Sequence, residues 1–504
     1  MFSKSLYTRG MQCQKSLWLK KNKPEVLSIP DAQRVAVFSN GDDIGSLAHS
    51  LFPNGKEIEF DGSSFEQKIK QTKEWIEQGE SVIYEATFNY DDTLVMVDIL
   101  VIKEGKVHIY EVKSSTSVKE VYKHDVSIQY YVLNGLGYEV ESANVVHINS
   151  DYVRGDELDL SEFFSIVDIS EIVKEKQKDI PQRLNEFREM LKGDEPKIEI
   201  GMQCLSPYEC DACEYCWVEQ RKIPSYSVFD IARLKWEKRF ELYHRGIVRL
   251  EDIDDLSGFN EGQRLQILCE KTPQITIKKE KIKEFLSTLR YPIYHLDFET
   301  FQQSVPQWRG VSPYEQIPFQ YSLHIDYGDG RLEHREFLAT EGMDPREELA
   351  KRLLVDIPQD VMVMAYNASF EKGVIKRLAK DFENLSERLN SIASNIMDLM
   401  IPFANKDYYH PQMKGSYSIK KVLPALVPEM EMAYKNLDLI HDGGEAMEAY
   451  PMLSMMPQEE REKYKKALLE YCKLDTLAMV KVLEKLREGI RASEYISSHN
   501  QQRK

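Results

Sequence analysis

The chain has 504 residues, 42% of them hydrophobic, and a formal net charge of -17 at pH 7. That length allows two or three domains with cores of their own, and the acidic balance excludes a uniformly basic surface that coats nucleic acid through phosphate contacts. It leaves room for a nuclease, which needs carboxylates for metal ions and only a local basic channel, as KIKQTK, KKEKIK and SIKK permit.

The first 21 residues, MFSKSLYTRGMQCQKSLWLKK, hold no apolar run long enough for a signal peptide, and no later stretch approaches the length of a membrane span. A cytoplasmic protein is expected. Isolated cysteines such as Cys269 and Cys472 fit a reducing compartment better than a disulfide scaffold. Residues 1–30 read as a short turn and an amphipathic helix, with Cys13 just ahead of Leu17, Trp18 and Leu19. A helical stretch ending in GSLAHSLFPNG follows. It sets His49 among small and apolar residues, as a core histidine or as a metal ligand.

From Ser81 the pattern changes to strands: SVIYEATFNY, TLVMVDILVIK and, after Glu104-Gly105, KVHIYEVKSS. A tight hairpin centred on Glu104 and Gly105 pairs Lys103 with Lys106, and the same register brings Asp98 opposite Glu111. Two facing carboxylates repel unless a cation lies between them. Glu111 and Lys113 share a face, so a lysine stands beside the carboxylates, where it can orient an attacking water or neutralise charge on a phosphate. Residues 121–137 then read as a helix, NVVHINS as a strand, and IPQRLNEFREMLKG as a helix capped by Gly193.

Four of the seven cysteines follow within CLSPYECDACEYC. Cysteines this close make poor disulfides with one another, and their spacing suits thiolates converging on a metal. Zinc is served by Cys204, Cys210, Cys213 and Cys216, whereas an iron–sulfur cluster can also draw in Cys13.

The order His49, Glu85, Asp98, Glu111-x-Lys113 and Gln129-Tyr130-Tyr131 resembles the PD-(D/E)XK nucleases of the RecB class. The bracket from Cys13 to Cys216 is similar to the iron–sulfur clasp of their CRISPR-associated and AddB-type members. The resemblance covers about residues 1–217 and implies a restriction-endonuclease-like fold. In it His49, Asp98 and Glu111 bind Mg²⁺ or Mn²⁺, Lys113 is catalytic, and Gln129 with Tyr130 or Tyr131 holds substrate. Val97-Asp98 stands where the motif has Pro-Asp. The clasp implies Cys13, Cys204, Cys210 and Cys216 as ligands of a 4Fe–4S cluster, with Cys213 the surplus member.

Residues 218–290 read as a helical connector, with LKWEKRFELYHRGIVRLEDIDDL a helix, a turn at Gly246 and a second helix. YPIYHLDFETF is a strand that sends Asp297 and Glu299 to one face. DVMVMAYNASFEKGVIKRLAKDF reads as a buried strand, a turn at 367–369, and a helix with Glu371 in its first turn. Asp398 lies between apolar residues and is expected to support a site without binding metal. YYHPQMKGSYSIKKVLPAL offers tyrosines, His410 and Lys420 to a nucleic-acid strand. A long helix over 459–487 has an apolar stripe in which Asp475 falls, one turn after Tyr471. A carboxylate on a buried face needs a partner, which a metal shared with Asp297 and Glu299 supplies.

Asp297-x-Glu299, Glu371 and Tyr471-x-x-x-Asp475 resemble the DEDD exonucleases with a tyrosine in the third motif. This implies an RNase H-like domain over about residues 291–490, two metal ions held by Asp297, Glu299, Glu371 and Asp475, and 3′-to-5′ trimming with Tyr471 placing the water. Glu371 stands where the pattern has aspartate. The whole looks like a bacterial family that fuses the two nuclease types, an α/β (α+β) protein of two catalytic domains with a polar tail at 491–504. The expected activity is metal-dependent phosphodiester hydrolysis, on DNA before RNA. The alternatives are a nucleic-acid-binding scaffold with vestigial centres, or a zinc-binding regulator.

Overall fold

The computed structural model describes residues 1–29, 43–59 and 62–501, with side chains as far as residue 490. The chain is mixed α/β and divides into two compact units, the first made of residues 1–224 with 303–314, the second of 225–302 with 315–504. The segment expected as a connector therefore divides, with the residues beyond Pro224 belonging to the second unit. Among the described residues no helix is long and apolar enough to cross a membrane.

The first unit is built on a sheet in the order β2-β3-β4-β5-β6-β7, with β1 attached to β4. The strands are β1 Phe2–Ser3, β2 Lys56–Glu57, β3 Val82–Tyr90, β4 Thr93–Lys103, β5 Lys106–Lys113, β6 Val140–Ile148 and β7 Phe164–Asp168. Glu104 and Gly105 take φ of 53° and 77°, and the hairpin they close pairs Lys103 with Lys106 through to Ile99 with Tyr110. The ladder stops one pair short of Asp98 and Glu111, where the Val112 N–H donates to Asp98 Oδ2 at 2.7 Å. β1 pairs with Thr93 and Leu94, and Thr93 also pairs with Tyr90 of β3, so β1 and β5 share one edge of β4. Between them that edge is open from Val95 to Asp98.

Regular alternation also breaks there. Tyr84 and Ile99 pack in one core layer, yet Ala86 and Val97, two residues along, pack in the other. The change of phase falls at Glu85, a non-glycine residue held at φ 56°, and at Asp98 across from it. Left-handed backbone at a glutamate is sterically costly, and such strain gathers where a site requires it. The helix Glu120–Gly135 then crosses the sheet from β5 to the parallel strand β6. The helix Ile180–Lys192 ends at Gly193 as expected, but with φ -91°, so the chain leaves extended and not through a left-handed cap.

The second unit has a five-stranded sheet in the order β11-β10-β9-β12-β13. These strands are β9 Ile293–Phe301, β10 Ile317–Asp326, β11 Leu332–Leu338, β12 Met362–Ala365 and β13 Ile396–Asp398, while β8 Thr276–Ile277 and β14 Tyr408–Tyr409 form a separate two-stranded sheet. β9, β10 and β11 form an antiparallel meander, while β12 runs parallel to β9 and β13 parallel to β12. Leu296, Phe298, Tyr321, Leu323 and Ile325 pack on one face with the helices Arg346–Asp356 and Ser369–Asp381. The other face receives the C-terminal helix Gln458–Gln501. Gln320 donates to Leu468 O at 2.8 Å, and Ser322 Oγ and His324 Nδ1 each lie 2.7 Å from Thr476 Oγ1. Residues 320, 322 and 324 share that face with Glu299, Asp297 and His295 across the ladder. The hydrogen bonds that seat the helix thus bring Tyr471 and Asp475 over Asp297 and Glu299.

Two expectations for this unit change. The helix Trp236–His244 and the turn at Gly246, φ 79°, appear, but the second helix is a single 3-10 turn, Leu250–Asp252. Aspartates at 252, 254 and 255 compete for backbone donors, and helix resumes only at the Asn260–Gln263 capping box. The tail expected from 491 continues the C-terminal helix to Gln501, and residues 502–504 lie outside the described residues.

His324 and His334 stack with ring centroids 4.6 Å apart. Burial, then His334 and Lys473, push His324 down to about 3, and burial with Lys473 pushes His334 down to about 4. An unfolded histidine titrates near 6.5, so below that pH the unfolded chain binds protons that this folded pair refuses, and the pair's contribution to stability shrinks as pH falls. Each proton so refused is worth about 1.4 kcal/mol per pH unit. Urea midpoints of His334→Gln and wild type compared from pH 7 to pH 5 are expected to show the variant gaining stability relative to wild type as the pH falls.

Candidate functional site

Five cysteines line one cavity of the first unit: Cys13, Cys204, Cys210, Cys213 and Cys216, together with Lys15 and Ser16. Cys13 is there because it stands between the helices Lys4–Gln12 and Gln14–Asn22, in extended backbone at φ -159°. Arg9 ties the first of these helices to the late cysteines, bonding Asp211 at 2.6 and 3.0 Å and Ser16 Oγ at 2.9 Å. Gln12 adds bonds to Gln203 O at 2.9 Å and Tyr208 O at 2.7 Å. Three of these thiols are raised. Burial, then the neighbouring Cys210 and Cys204, raise Cys13, and burial pushes Cys213 up to about 12 and Cys216 to about 11.

The second cluster of the first unit gathers at the open edge of β4. Glu111 is fully buried, Asp98 and Glu85 face it from β4 and β3, and Asp125 comes from the helix Glu120–Gly135. Lys4 Nζ donates to both Glu111 oxygens, at 2.9 and 3.1 Å, and lies 3.5 Å from Asp125 and 3.7 Å from Asp98. Lys113 pairs with Glu111 and with Asp125 at 3.1 Å, and Gln129 Nε2 donates to Glu111 at 2.6 Å and Asp125 at 3.2 Å. Burial, then Asp125 and Asp98, push Glu111 up to about 7, and burial with Asp98 pushes Glu85 to about 8. Burial opposes charge on Asp125, but Lys4 and Lys113 outweigh it and hold Asp125 low.

In the second unit Asp297, Glu299, Lys420, Tyr434, Asp442, Tyr471 and Asp475 line a cavity of about 470 Å³. Ligand atoms of Asp297, Glu299 and Cys472 lie within 4.8 Å of one another. Tyr434 Oη donates to Asp475 at 2.6 Å, and Cys472 Sγ lies 3.8 Å from Asp297 Oδ2. Burial, then Asp475 and neighbouring carboxylates, raise Asp297 and Glu299 far above the usual carboxylate range. Burial takes Asp475 to about 6 and Glu371 to about 8. Glu371 Oε2 is buried with no hydrogen-bond partner. Among the described residues no lysine, arginine or histidine pairs with Asp297, Glu299, Glu371 or Asp475 within 4.0 Å, and Lys420 acts on Glu299 and Asp475 only at longer range.

The structure thus assembles Asp98, Glu111, Lys113 and Gln129 in one cluster and Asp297, Glu299, Tyr471 and Asp475 in another. His49 is half-buried and stacked on Tyr84, 3.8 Å between centroids, and among the described residues it forms no ligand group with Asp98 and Glu111. Tyr130 and Tyr131 pack against the core, and Tyr131 Oη turns to Asp91 at 3.4 Å. Asp398 accepts from the N–H groups of Asn367 and Met400 at 3.0 and 2.9 Å, which fixes the turn ahead of Glu371. Sequence reasoning missed Lys4, Asp125, Tyr434 and the Asp442-Gly443 turn, where a Cβ on Gly443 would lie 3.5 Å from Glu299 Oε2.

A family profile described as a domain of unknown function, DUF2779, matches residues 294–418, which include Asp297, Glu299 and Glu371 but end before Tyr471. An uncharacterised protein of Ureaplasma parvum, UU173, is 27% identical over 246 residues, 45% of this chain and 34% of its own length. An uncharacterised protein of Mycoplasma genitalium, MG366, is 24% identical over 241 residues, 44% of this chain and 36% of its own length. The chain spans about a third of the length of both relatives.

Buried carboxylates that repel one another cost stability until a cation joins them. Asp297→Asn is therefore expected to stabilise the metal-free protein by about 1 kcal/mol, raising Tm by about 2–4 °C in the presence of EDTA. Differential scanning calorimetry of the two proteins checks it.

Proposed function

We propose that the chain is a metal-dependent nuclease with two centres, one in each unit. The observation that carries this reading is the second-unit cluster: four carboxylates, Glu299 and Glu371 buried and Asp297 and Asp475 half-buried, one with an orphaned oxygen, and among the described residues no cation within 4.0 Å of them. Asp297, Glu299, Glu371 and Asp475 fit a site for Mg²⁺ or Mn²⁺, hard ions that take oxygen ligands. Such an ion supplies Lewis acidity to a phosphodiester. Burial and the neighbouring carboxylates raise the Tyr471 phenol far above its ordinary range, so it stays protonated and serves as a donor that orients water beside Asp475. The sheet order, three antiparallel strands flanked by two parallel ones, agrees with an RNase H-like domain. The hairpin, crossover helix and parallel β6 of the first unit agree with a PD-(D/E)XK fold.

For the cysteine cavity the reading is an iron–sulfur cluster. Four thiolates on one zinc ion, at about 2.3 Å each, stand about 3.8 Å from one another. Among the described residues no three of the cysteine Sγ atoms close to within 4.8 Å, a spread wider than one zinc ion draws together. Cys13, Cys204, Cys210 and Cys216 remain the proposed ligands, with Cys213 as a fifth wall of the same cavity. A second reading applies to the first unit alone. Lys4 and Lys113 already neutralise its carboxylates, so that unit fits a nucleic-acid-binding domain with a silent centre.

End-labelled single- and double-stranded DNA and RNA with Mg²⁺ or Mn²⁺ test the proposal. Asp297→Ala is expected to remove stepwise 3′ trimming, and Lys113→Ala to remove a different product ladder; trimming that survives Asp297→Ala sinks the second centre, and a Lys113→Ala protein indistinguishable from wild type leaves the first unit a binding domain. Cys13→Ala is expected to lose iron and visible absorbance, and full iron retention in that variant overturns the clasp.

A further inference from the structure

Every hydrogen-bonding position of the Glu111 carboxylate is taken without a metal. Oε1 accepts from Lys4 and Lys113, and Oε2 from Lys4 and Gln129. The Lys4 ammonium lies within 4 Å of Glu111, Asp98 and Asp125 at once, which is the position an ion shared by Asp98 and Glu111 has to occupy. It is not a loose surface side chain. Its side chain is 20% exposed, Ser3 before it is locked into β1 against Leu94, and Ser3 Oγ caps the helix that Lys4 begins. The far end of that helix is bound to the cysteine region through Arg9 and Gln12.

Resting on the metal reading of this centre, we propose that Lys4 is a resident cation which a divalent ion must displace, so that Lys4 sets the metal concentration at which the first centre loads. Two like charges cannot share the space between Asp98 and Glu111. At contact distance they repel strongly in a partly buried site. Binding of the ion therefore carries the cost of moving Lys4 out of its three ion pairs. Lys113 does not impose the same cost, because it reaches Glu111 and Asp125 and forms no ion pair with Asp98. Lys4 is accordingly a positioning residue, acting on metal occupancy without touching substrate.

The test is Mn²⁺ binding followed by electron paramagnetic resonance, with Tm measured in parallel, on the full chain carrying Asp297→Asn to weaken the second centre. Lys4→Met on that background is expected to bind Mn²⁺ roughly tenfold tighter or more, to have a lower Tm without metal, and to gain more Tm from Mn²⁺ than the parent. Lys4→Arg keeps the charge and is expected to bind as weakly as the parent. Should Lys4→Met fail to fold, Lys4→Gln, which keeps a donor but no charge, answers the same question. Unchanged or weaker Mn²⁺ binding in the neutral variants overturns the inference and leaves the centre's metal reading intact. If Glu111→Gln on the same background removes no Mn²⁺ site at all, the metal reading of the centre fails, and the role of Lys4 fails with it.

Discussion

Like-charged carboxylates held out of water against one another are the constraint on which both units depend. Each sheet delivers acids to a place where its neighbours cannot solvate them, and each unit answers differently. The first surrounds Glu111 with two ammoniums and an amide. The second uses protonated groups, with the Tyr434 hydroxyl on Asp475 and the Cys472 thiol near Asp297. Neutral donors soften the repulsion without removing it, and burial with the remaining repulsion holds the Asp297 and Glu299 carboxyls far above their usual range.

The two clusters arise from different backbone events. In the first unit the ladder between β4 and β5 ends early, and the pleat of β3 and β4 changes phase at Glu85 and Asp98, so acids normally spread over a sheet face meet at an edge. In the second unit β9 and β10 stay in register through Asp297–Ser322, and the acids meet a helix laid across the face. That helix is seated by Gln320, Ser322 and His324, residues whose role is visible only once the sheet exists.

This difference explains what could be read in the amino-acid sequence. The hairpin at Glu104-Gly105 is a local signal, and it carried the register to within one pair of Asp98 and Glu111. Asp475 could be read because a carboxylate in an apolar helical stripe violates periodicity. Lys4 could not, because 107 residues separate it from Glu111 and a lysine near the N-terminus breaks no pattern. Asp125 was equally hidden, being an acid on a helix with a polar face. Tyr130 and Tyr131, motif positions expected to hold substrate, are partly buried against the core, a contact that no local pattern announces. The folds' names, unlike the strand positions, depend on topology that no single segment encodes.

One further feature concerns the order in which the chain is made. The first unit takes in residues 303–314, far downstream of Pro224. Val311 O accepts from the Arg154 N–H at 3.0 Å, the Gly310 N–H donates to Arg154 O at 2.8 Å, and Tyr314 donates to Ser114 O, the residue after Lys113. Val305 and Tyr314 also pack into a core layer with Tyr110 and Tyr152. These bonds cannot form on the ribosome until residue 314 has emerged, by which time β9 with Asp297 and Glu299 has been synthesised. The half of the protein that is translated first is therefore completed only after the second half has begun, and a fragment ending at Pro224 leaves that core layer open beside Lys113.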